Sequence, residues 1–304
     1  MKKKIVNILA FLSLFIVSCD KPAPVDLVEG PAYSDDPLEV EVLAQNPVEE
    51  LYSADPDSNL VMAAPLDPRF GSQIVVTRSK TNDGGVQKES ALGQAVFYDF
   101  NSPVINQMGR TVAFKTKAVQ FVKFKGLQAR EYPFNFRYLN GPEVKDTLLG
   151  PRFLVIRRSG VLGDLFDFEY GSAIDIEVKK FGSPMERFTV ATPIEIQGAV
   201  NTSRRPDGTR QANVTWNAGN SFSIIIVLSG VAVRTSHIVP LFRIRTRDDG
   251  SLVIPPNLLA SIPAANFSKL IVTFVREMES LNEAVDERLF FRTQSVNNQV
   301  IDLN

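Results

Sequence analysis

The sequence predicts an all-β protein, and three observations support this fold class. Apolar and polar residues alternate in many short runs, as in AIDIEVKKF (173–181) and LFRIRTR (241–247). Turn-forming stretches such as NDGG (82–85) and RDDG (247–250) separate these runs. No segment of ten or more residues shows a convincing 3.6-residue period. Because alternation with a period of two is typical of strands with one buried face, we expect many short strands arranged in antiparallel sandwiches.

Individual runs refine this expectation. The other β-rich runs are TVAFKTKAVQFVKFK (111–125), FNFRYL (134–139), RFLVIRR (152–158) and KLIVTFV (269–275). In the first of these, the alternation shifts phase between Val119/Phe121 and Val122/Phe124, which predicts a bulge or a strand break. The stretch PPNLLASIP (255–263) begins and ends with proline and predicts one or two helical turns. Trp216, the only tryptophan, alternates in phase with Val214 and is expected in the core.

Composition divides the chain into four parts. We expect a signal peptide over residues 1–18, an acidic proline-rich segment over 19–65, and a body with a net charge of +6 over 66–304. A change of strand set around TPIEIQ (192–197) predicts a boundary within the body. We therefore expect two antiparallel β-sandwich (immunoglobulin-like) domains, 66–195 and 196–304, after a disordered acidic tether.

The first residues predict export and lipidation. Three lysines (MKKK) precede a 13-residue run, 5–17, that is apolar except for Asn7 and Ser13 and is too short to span a bilayer. The run ends in IVSC (16–19), which resembles the bacterial lipobox. The resemblance implies cleavage after Ser18 and a diacylglyceryl thioether on Cys19, the only cysteine of the chain. An ordinary secretory signal with a coincidental cysteine and a transmembrane anchor are the alternatives.

Lipidation would place the protein in a bacterial cell envelope. Each buried CH₂ of an acyl chain contributes roughly 0.8 kcal/mol, so two or three chains anchor firmly. Asp20 resembles the inner-membrane retention signal of enterobacteria, a rule that other phyla do not follow reliably. We expect the outer membrane rather than the inner one, with the leaflet left open.

Residues 20–65 have the composition of a tether. Eleven acidic residues face one base, Lys21, and seven prolines interrupt the segment. Low hydrophobicity and a net charge of −10 predict a solvated chain without a packed core. Two alternatives remain at this stage: the apolar pieces VEVLA (40–44) and NLVMAA (59–64) dock as edge strands, or the segment is an acidic tail that binds a partner.

Several pieces of the body resemble a known group of proteins. NVTWNAGNSFSIIIVLSG (213–230), DDGSLVIPPNLLASIP (248–263) and SKLIVTFVRE (268–277) are similar to the C-terminal sandwich module of uncharacterised lipoproteins common in myxobacteria and their relatives. ALGQAVFYDF (91–100) and FGSPMERFTVATP (181–193) resemble the N-terminal half of that group. The resemblance implies two β-sandwich modules behind a lipobox signal peptide, and no activity.

Residues able to support catalysis or metal binding are sparse. His237 is the only histidine, and no GxSxG, HExxH or P-loop pattern occurs. The acidic stretch around Asp164, Asp167, Glu169 and Asp175 offers hard oxygen ligands that calcium favours, but its spacing does not match an EF-hand loop. We expect no enzyme activity, no cofactor and no metal site, and we leave calcium binding at this cluster open.

The sequence leaves three functions open. The first is a non-catalytic binding or structural module, with a speculative partner face formed by Arg234, Arg243, Arg245 and Arg247 that docks an anionic partner or the chain's own tether. The second is glycan binding, which requires an exposed aromatic platform around Tyr132, Tyr138 or Tyr170. The third is a hydrolase that uses isolated carboxylates or His237. Expected partners are the membrane, through the lipid, and an envelope protein or glycan, whereas nucleic acid is not expected.

Overall fold

The computed structural model describes residues 39–43, 71–141, 143–158, 166–204, 206, 210–219, 221–234, 237–284 and 287–302. The chain divides into two units, Met1–Asp35 and Asp36–Asn304, and every described residue belongs to the second. The predictions for the signal peptide, Ser18, Cys19, NLVMAA and Asp164 therefore lie outside the described residues, as does most of the predicted tether.

The all-β prediction is confirmed, and the structure contains several sheets. The largest, which we call the main sheet, has nine strands in the order β1-β15-β14-β17-β18-β2-β3-β9-β8. Its strands are β1 (Glu39–Val42), β2 (Ser72–Asp83), β3 (Val86–Val96), β8 (Arg130–Asn140), β9 (Glu143–Arg158), β14 (Ser223–Ala232), β15 (Ile238–Arg247), β17 (Phe267–Ala284) and β18 (Glu287–Asp302).

Two small sheets, a hairpin, a short α-helix and a 3₁₀ turn (Ala264–Asn266) complete the described elements. The first small sheet contains β6 (Phe121–Phe124), β7 (Leu127–Gln128), β10 (Ala173–Lys179) and β11 (Met185–Ala191). The second small sheet contains β12 (Gly198–Arg204), β13 (Arg210–Trp216) and β16 (Ser251–Ile254). The hairpin consists of β4 (Tyr98–Ile105) and β5 (Thr111–Thr116), and the helix is α1 (Pro256–Ala260). Among the described residues, no helix has the length and apolar character needed to cross a membrane.

The strand pairs of the main sheet are antiparallel with one exception. β18, near the end of the chain, pairs in parallel with β2, with Leu289 opposite Ser72 and Val300 opposite Asp83. The pair joins strands from the two sides of the boundary predicted near residue 195. The main sheet therefore runs through both predicted domains without interruption.

Side chains of the main sheet alternate between its two faces, and each face packs against other elements. The inner face of the main sheet, which carries Ile74 and Phe274, packs against the two small sheets. The first core lies between this face and the first small sheet, and the second core lies between it and the second small sheet, Ile196 and α1. On the opposite, outer face, Val96 contributes to a third cluster with β8 and the β4–β5 hairpin. The cores thus separate close to the predicted boundary, although the sheet does not.

Local predictions from the sequence hold in most elements. Ile174, Ile176 and Val178 of β10 are buried, and Trp216 lies in the second core. The predicted interruption within 111–125 is a strand break, since β5 ends at Thr116 and β6 begins at Phe121. The proline-bounded stretch forms α1, whose Leu258 is buried.

The acidic segment contributes one strand to the fold. Residues 39–42 form β1, which pairs with β15 at the edge of the main sheet, and Leu43 continues the pairing. For residues 40–43 the alternative of an edge strand therefore describes the structure, and a disordered tether does not.

Candidate functional site

The arginine strand is the first candidate surface. Arg243, Arg245 and Arg247 lie on the outer face because they alternate along β15 with Phe242 and Ile244, which are buried in the second core. Arg234 does not join them, since it follows β14 in a turn. The structure thus places three of the four predicted arginines on one face.

The chain's own acidic segment docks beside these arginines. In the β1–β15 register Glu41 lies opposite Arg243, and Glu39 lies opposite Arg245. Arg243 Nη1 donates a hydrogen bond of 2.9 Å to Glu41 Oε2. Glu41 of the acidic segment therefore contacts Arg243 of the arginine strand. An exposed pair of this kind contributes only about 0.2–1 kcal/mol, so it orients β1 more than it stabilises it.

Ion pairs continue from the arginines across the outer face. Arg245 Nη2 lies 3.8 Å from Glu277 Oε1. Arg292 Nε donates to Glu279 Oε1 over 2.8 Å, and Arg292 also lies 3.7 Å from Glu277. Gln294 Nε2 donates to Glu277 Oε2 over 3.3 Å. The charges on this part of the face neutralise one another, which leaves little unbalanced charge for an anionic partner.

Next to this network lies an apolar region that we call the outer patch. It consists of Leu43, Ile225, Val227, Val275 and Val296. A polar row borders it, in which Thr273 Oγ1 donates to Asn298 Oδ1 (2.7 Å) and Asn298 Nδ2 donates to Thr81 Oγ1 (3.0 Å). Sequence reasoning missed this patch because Ile225 and Val227 belong to the continuous run SIIIVL, in which alternation does not distinguish the two faces.

A charged cluster lies on the inner face. Arg78 stacks on the ring of Tyr170, with its Cζ 4.7 Å from the ring centroid, and its Nη1 lies 3.2 Å from Asp167 Oδ1. Lys80 contacts both Glu195 and Glu89. The hydrogen bond to Glu195 raises the pKa of Lys80 above its usual 10.5. Burial raises the pKa of Tyr170 above its usual 10.0. These residues hold one another in place, and burial keeps the Tyr170 hydroxyl protonated beyond the pH at which an exposed tyrosine ionises.

A buried ion pair closes one end of the second core. Arg276 on β17 donates from Nε to Asp248 Oδ2 and from Nη2 to Asp248 Oδ1, both over 2.8 Å, and both side chains are 1 % exposed. Trp216 Nε1 also donates to Asp248 Oδ1, over 3.0 Å. Arg276 additionally donates to the carbonyl oxygens of Glu195 and Asn217. The sequence does hold a signal for this residue, since Arg276 continues the buried phase of Leu270, Val272 and Phe274.

The connection between the two small sheets is fixed to β18. Thr293 Oγ1 donates to the Ala191 carbonyl over 2.7 Å. Ser295 Oγ accepts from Ile196 N over 2.9 Å, and Asn297 Oδ1 accepts from Gly198 N over 3.3 Å. Three alternating side chains of one strand thus bind the segment 191–198. This segment is bonded along its length to the main sheet.

The residues that the sequence offers for catalysis or metal binding lie apart from one another. His237 is exposed at the start of β15. Asp167 pairs with Arg78. Asp175 and Glu177 lie instead on the solvent side of β10. There Asp175 accepts a hydrogen bond from Thr189, and Glu177 pairs with Lys123 and Arg187. In the part of the chain that the structure describes, no group of three or more His, Cys, Asp or Glu residues is arranged to hold a metal ion.

The three tyrosines considered for a glycan platform have different surroundings. Tyr138 is buried in the third cluster, and Tyr170 packs against the first core below Arg78. Tyr132 on β8 is 38 % exposed. The structure therefore does not assemble these three residues into one surface.

Comparison of the chain with protein-family models, with curated proteins and with solved structures gives no match in any of the three. The resemblance to lipoproteins of myxobacteria accordingly stays a prediction from the sequence.

Proposed function

We propose that this protein is a lipid-anchored component of the bacterial cell envelope, whose β body serves as a non-catalytic binding or structural module. One observation carries the proposal: the only cysteine of the chain, Cys19, directly follows an apolar run that ends in IVS. A thioether needs a thiol, and the only thiol of the chain lies at the position that N-terminal acylation requires. The outer membrane is the proposed location, and an envelope protein or a glycan is the proposed partner.

The architecture of the body supports a structural or displayed role. We interpret it as two immunoglobulin-like sandwich halves, one for each core, that share the main sheet. The hydrogen bonds from Thr293, Ser295 and Asn297 to the segment between the small sheets oppose bending between the halves. A body of this kind presents its surfaces at a fixed angle to each other, which suits contact with a partner more than it suits a cleft that opens and closes.

The proposal is tested by the variant Cys19→Ala in the native host or a related bacterium. We expect the native chain to take up labelled fatty acid and to fractionate with membranes, and Cys19→Ala to lose both properties. Ser18→Gly is the matched control, because it keeps a small residue before the cleavage site and should retain label and membrane association. Continued labelling of Cys19→Ala would contradict the anchoring mechanism.

A further inference from the structure

Two turns of the described chain present exposed apolar side chains at their tips. In the turn between β4 and β5, Met108 is 66 % exposed, and Ile105 just before it is also exposed. In the turn between β10 and β11, Phe181 is 68 % exposed, and Met185 just after it is also exposed. Single exposed apolar residues are common on protein surfaces, whereas groups of them mark sites of contact with a partner or a membrane.

The strand pairings show that the main sheet has one end at which two long hairpins turn, which we call the hairpin end. One parallel and two antiparallel pairings separate β18 from β9, so these two strands run in the same direction. The pairings set Phe291 of β18 in one row with Phe153 of β9. β9 begins at Glu143, about 33 Å before this row, and β18 begins at Glu287, about 13 Å before it. The β8–β9 and β17–β18 hairpins therefore both turn at the hairpin end.

The β4–β5 turn lies at this end, beside the β8–β9 turn, and its backbone is internally bonded. Gln107 N donates to Asn140 Oδ1 over 2.7 Å, which holds the two turns together. Asn106 Oδ1 accepts from Met108 N and Arg110 N, both over 3.0 Å, and the Asn106 carbonyl accepts from the N–H of the intervening glycine. Asn106 N donates to the Arg110 carbonyl, so every backbone N–H from residue 106 to residue 110 is bound. Such a turn can leave water without losing these hydrogen bonds.

The β10–β11 turn lies toward the same end, on the opposite face of the main sheet. The rings of Phe188 and Phe291 have centroids 4.9 Å apart, and Thr293 donates to the Ala191 carbonyl. β11 therefore runs in the direction of β18, and Met185 at its start lies toward the hairpin end. Both turns thus project from one end of the body.

Basic residues accompany the apolar ones in both turns. The stretches 104–111 and 179–186 contain four charged residues, three basic and one acidic, namely Arg110, Lys179, Lys180 and Glu186. Lys180 pairs with Glu186 over 3.3 Å, which leaves the charges of Arg110 and Lys179 uncompensated within these stretches. Positive charge next to exposed apolar side chains is the combination that binds the interface of an anionic bilayer.

We propose that the hairpin end docks the body onto a bilayer with anionic headgroups. Met108 and Phe181 enter the region between headgroups and acyl chains, and Arg110 and Lys179 bind lipid phosphates. Because the two turns belong to layers on opposite faces of the main sheet, a partner has to receive two separate projections at once. A bilayer surface does this without a matching shape, unlike a folded protein. This docking rests on the proposed function, since it assumes a body beside a membrane, but it does not depend on the modification of Cys19.

Added tryptophans in the full chain test the docking. Met108→Trp and Phe181→Trp each place an indole in one of the two turns. Val86→Trp is the matched control, because Val86 is 58 % exposed in the β2–β3 turn at the opposite end of the main sheet. Each chain is mixed with vesicles of phosphatidylethanolamine and phosphatidylglycerol, with and without brominated acyl chains. We expect bromine to lower the emission that Met108→Trp and Phe181→Trp add to that of Trp216 at least about twofold, and to leave that of Val86→Trp unchanged.

Absence of quenching from either turn would overturn the proposal, and a protein or glycan partner would then account for the exposed residues. Equal quenching in Val86→Trp would contradict the orientation. A chain that stays in solution also contradicts the docking, because the turns should hold the body to anionic vesicles. The buried Trp216 reports in every chain that the second core is intact.

The headgroup is tested by replacing phosphatidylglycerol with phosphatidylcholine. We expect the quenching of Met108→Trp and Phe181→Trp to decrease at least about twofold, because Arg110 and Lys179 lose their anionic partners. Unchanged quenching would exclude an anionic lipid as the partner. The modification of Cys19 is read separately from the mass of each chain, so failure of the anchor and failure of the docking are distinguishable.

Discussion

The pair Arg276–Asp248 shows how a single residue position can control the second core. The guanidinium binds both carboxylate oxygens and two backbone carbonyls, so its charge and its donors are satisfied without water. Burial of such a pair gives little net stabilisation because both ions lose their hydration. Removal of one partner is different, since it leaves the other charge buried alone.

We therefore expect Arg276→Met to lower the free energy of unfolding by about 3–5 kcal/mol. Arg276→Met combined with Asp248→Asn should cost less than the sum of the two single variants, because no charge is left unpaired. Urea denaturation measures all three. Arg187→Met is the control, because Arg187 is 71 % exposed beside Glu177 and should cost less than about 1 kcal/mol. A loss of this small size at Arg276 would contradict the role of the pair.

Tyr170 gives a second prediction at this scale, for alkaline pH. Burial raises its pKa in the folded chain, and the hydrogen bond to Glu195 raises that of Lys80. A raised pKa in the folded state contributes stability that is complete below the unfolded pKa and is lost as the pH rises toward the folded pKa. Stability should therefore fall as the pH rises past 10.0, where an unfolded tyrosine is half ionised.

The variant Tyr170→Phe isolates this contribution. It removes the ionisable group, so its urea midpoint should fall less than that of the native chain between about pH 8 and about pH 11. An equal fall in both chains would show that Tyr170 does not contribute to alkaline unfolding.

At the scale of elements, close packing between the main sheet and the second small sheet depends on a missing side chain. A Cβ at Gly198 in β12 would overlap the ring of Phe274 in β17. The ring also packs against Trp216, with centroids 6.3 Å apart. The glycine lets the two layers approach at the point where the segment between the small sheets enters β12.

We expect Gly198→Ala to destabilise the protein by about 1–3 kcal/mol through overpacking. In a Phe274→Leu background the same substitution should cost at least about 1 kcal/mol less, because the smaller side chain leaves room for the new methyl group. The comparison requires four chains and one denaturation assay. Equal costs in the two backgrounds would exclude a contact with Phe274 as the cause.

The strands themselves could be predicted well from the sequence, for a physical reason. In β10 and β15 one face is buried and the other meets solvent or charged partners, so hydrophobicity alternates residue by residue. Trp216 and α1 were predictable in the same way, from phase and from flanking prolines. Arg276 was missed because an arginine in a strand is usually solvated, and only its phase relative to Phe274 indicated burial.

The arrangement of the whole molecule could not be predicted in the same way. Pairing of β18 with β2 joins residues more than 200 positions apart, and alternation does not distinguish parallel from antiparallel neighbours. The predicted boundary near residue 195 marks the change from one core to the other, but it gives no sign that one sheet serves both. Of the candidate site, the arginine face could be predicted from β15 alone, whereas the outer patch depends on three strands and Leu43, which meet only in the fold.

The shared sheet leads to a prediction for unfolding. β18 carries Leu289 and Phe291 in the first core and Ile301 beside the second, so loss of either core disturbs the same strand. We expect one cooperative transition, with equal urea midpoints for Trp216 fluorescence, which reports the second core, and for far-ultraviolet circular dichroism, which reports all strands. Two separate transitions would show that the halves fold independently.

Mass spectrometry of the mature protein, purified from its native host, is the strongest test of the proposed membrane anchor. We expect the first residue to be Cys19, with the mass of a diacylglyceryl thioether and an acylated amine. An unmodified amino terminus, or any other first residue, would contradict it.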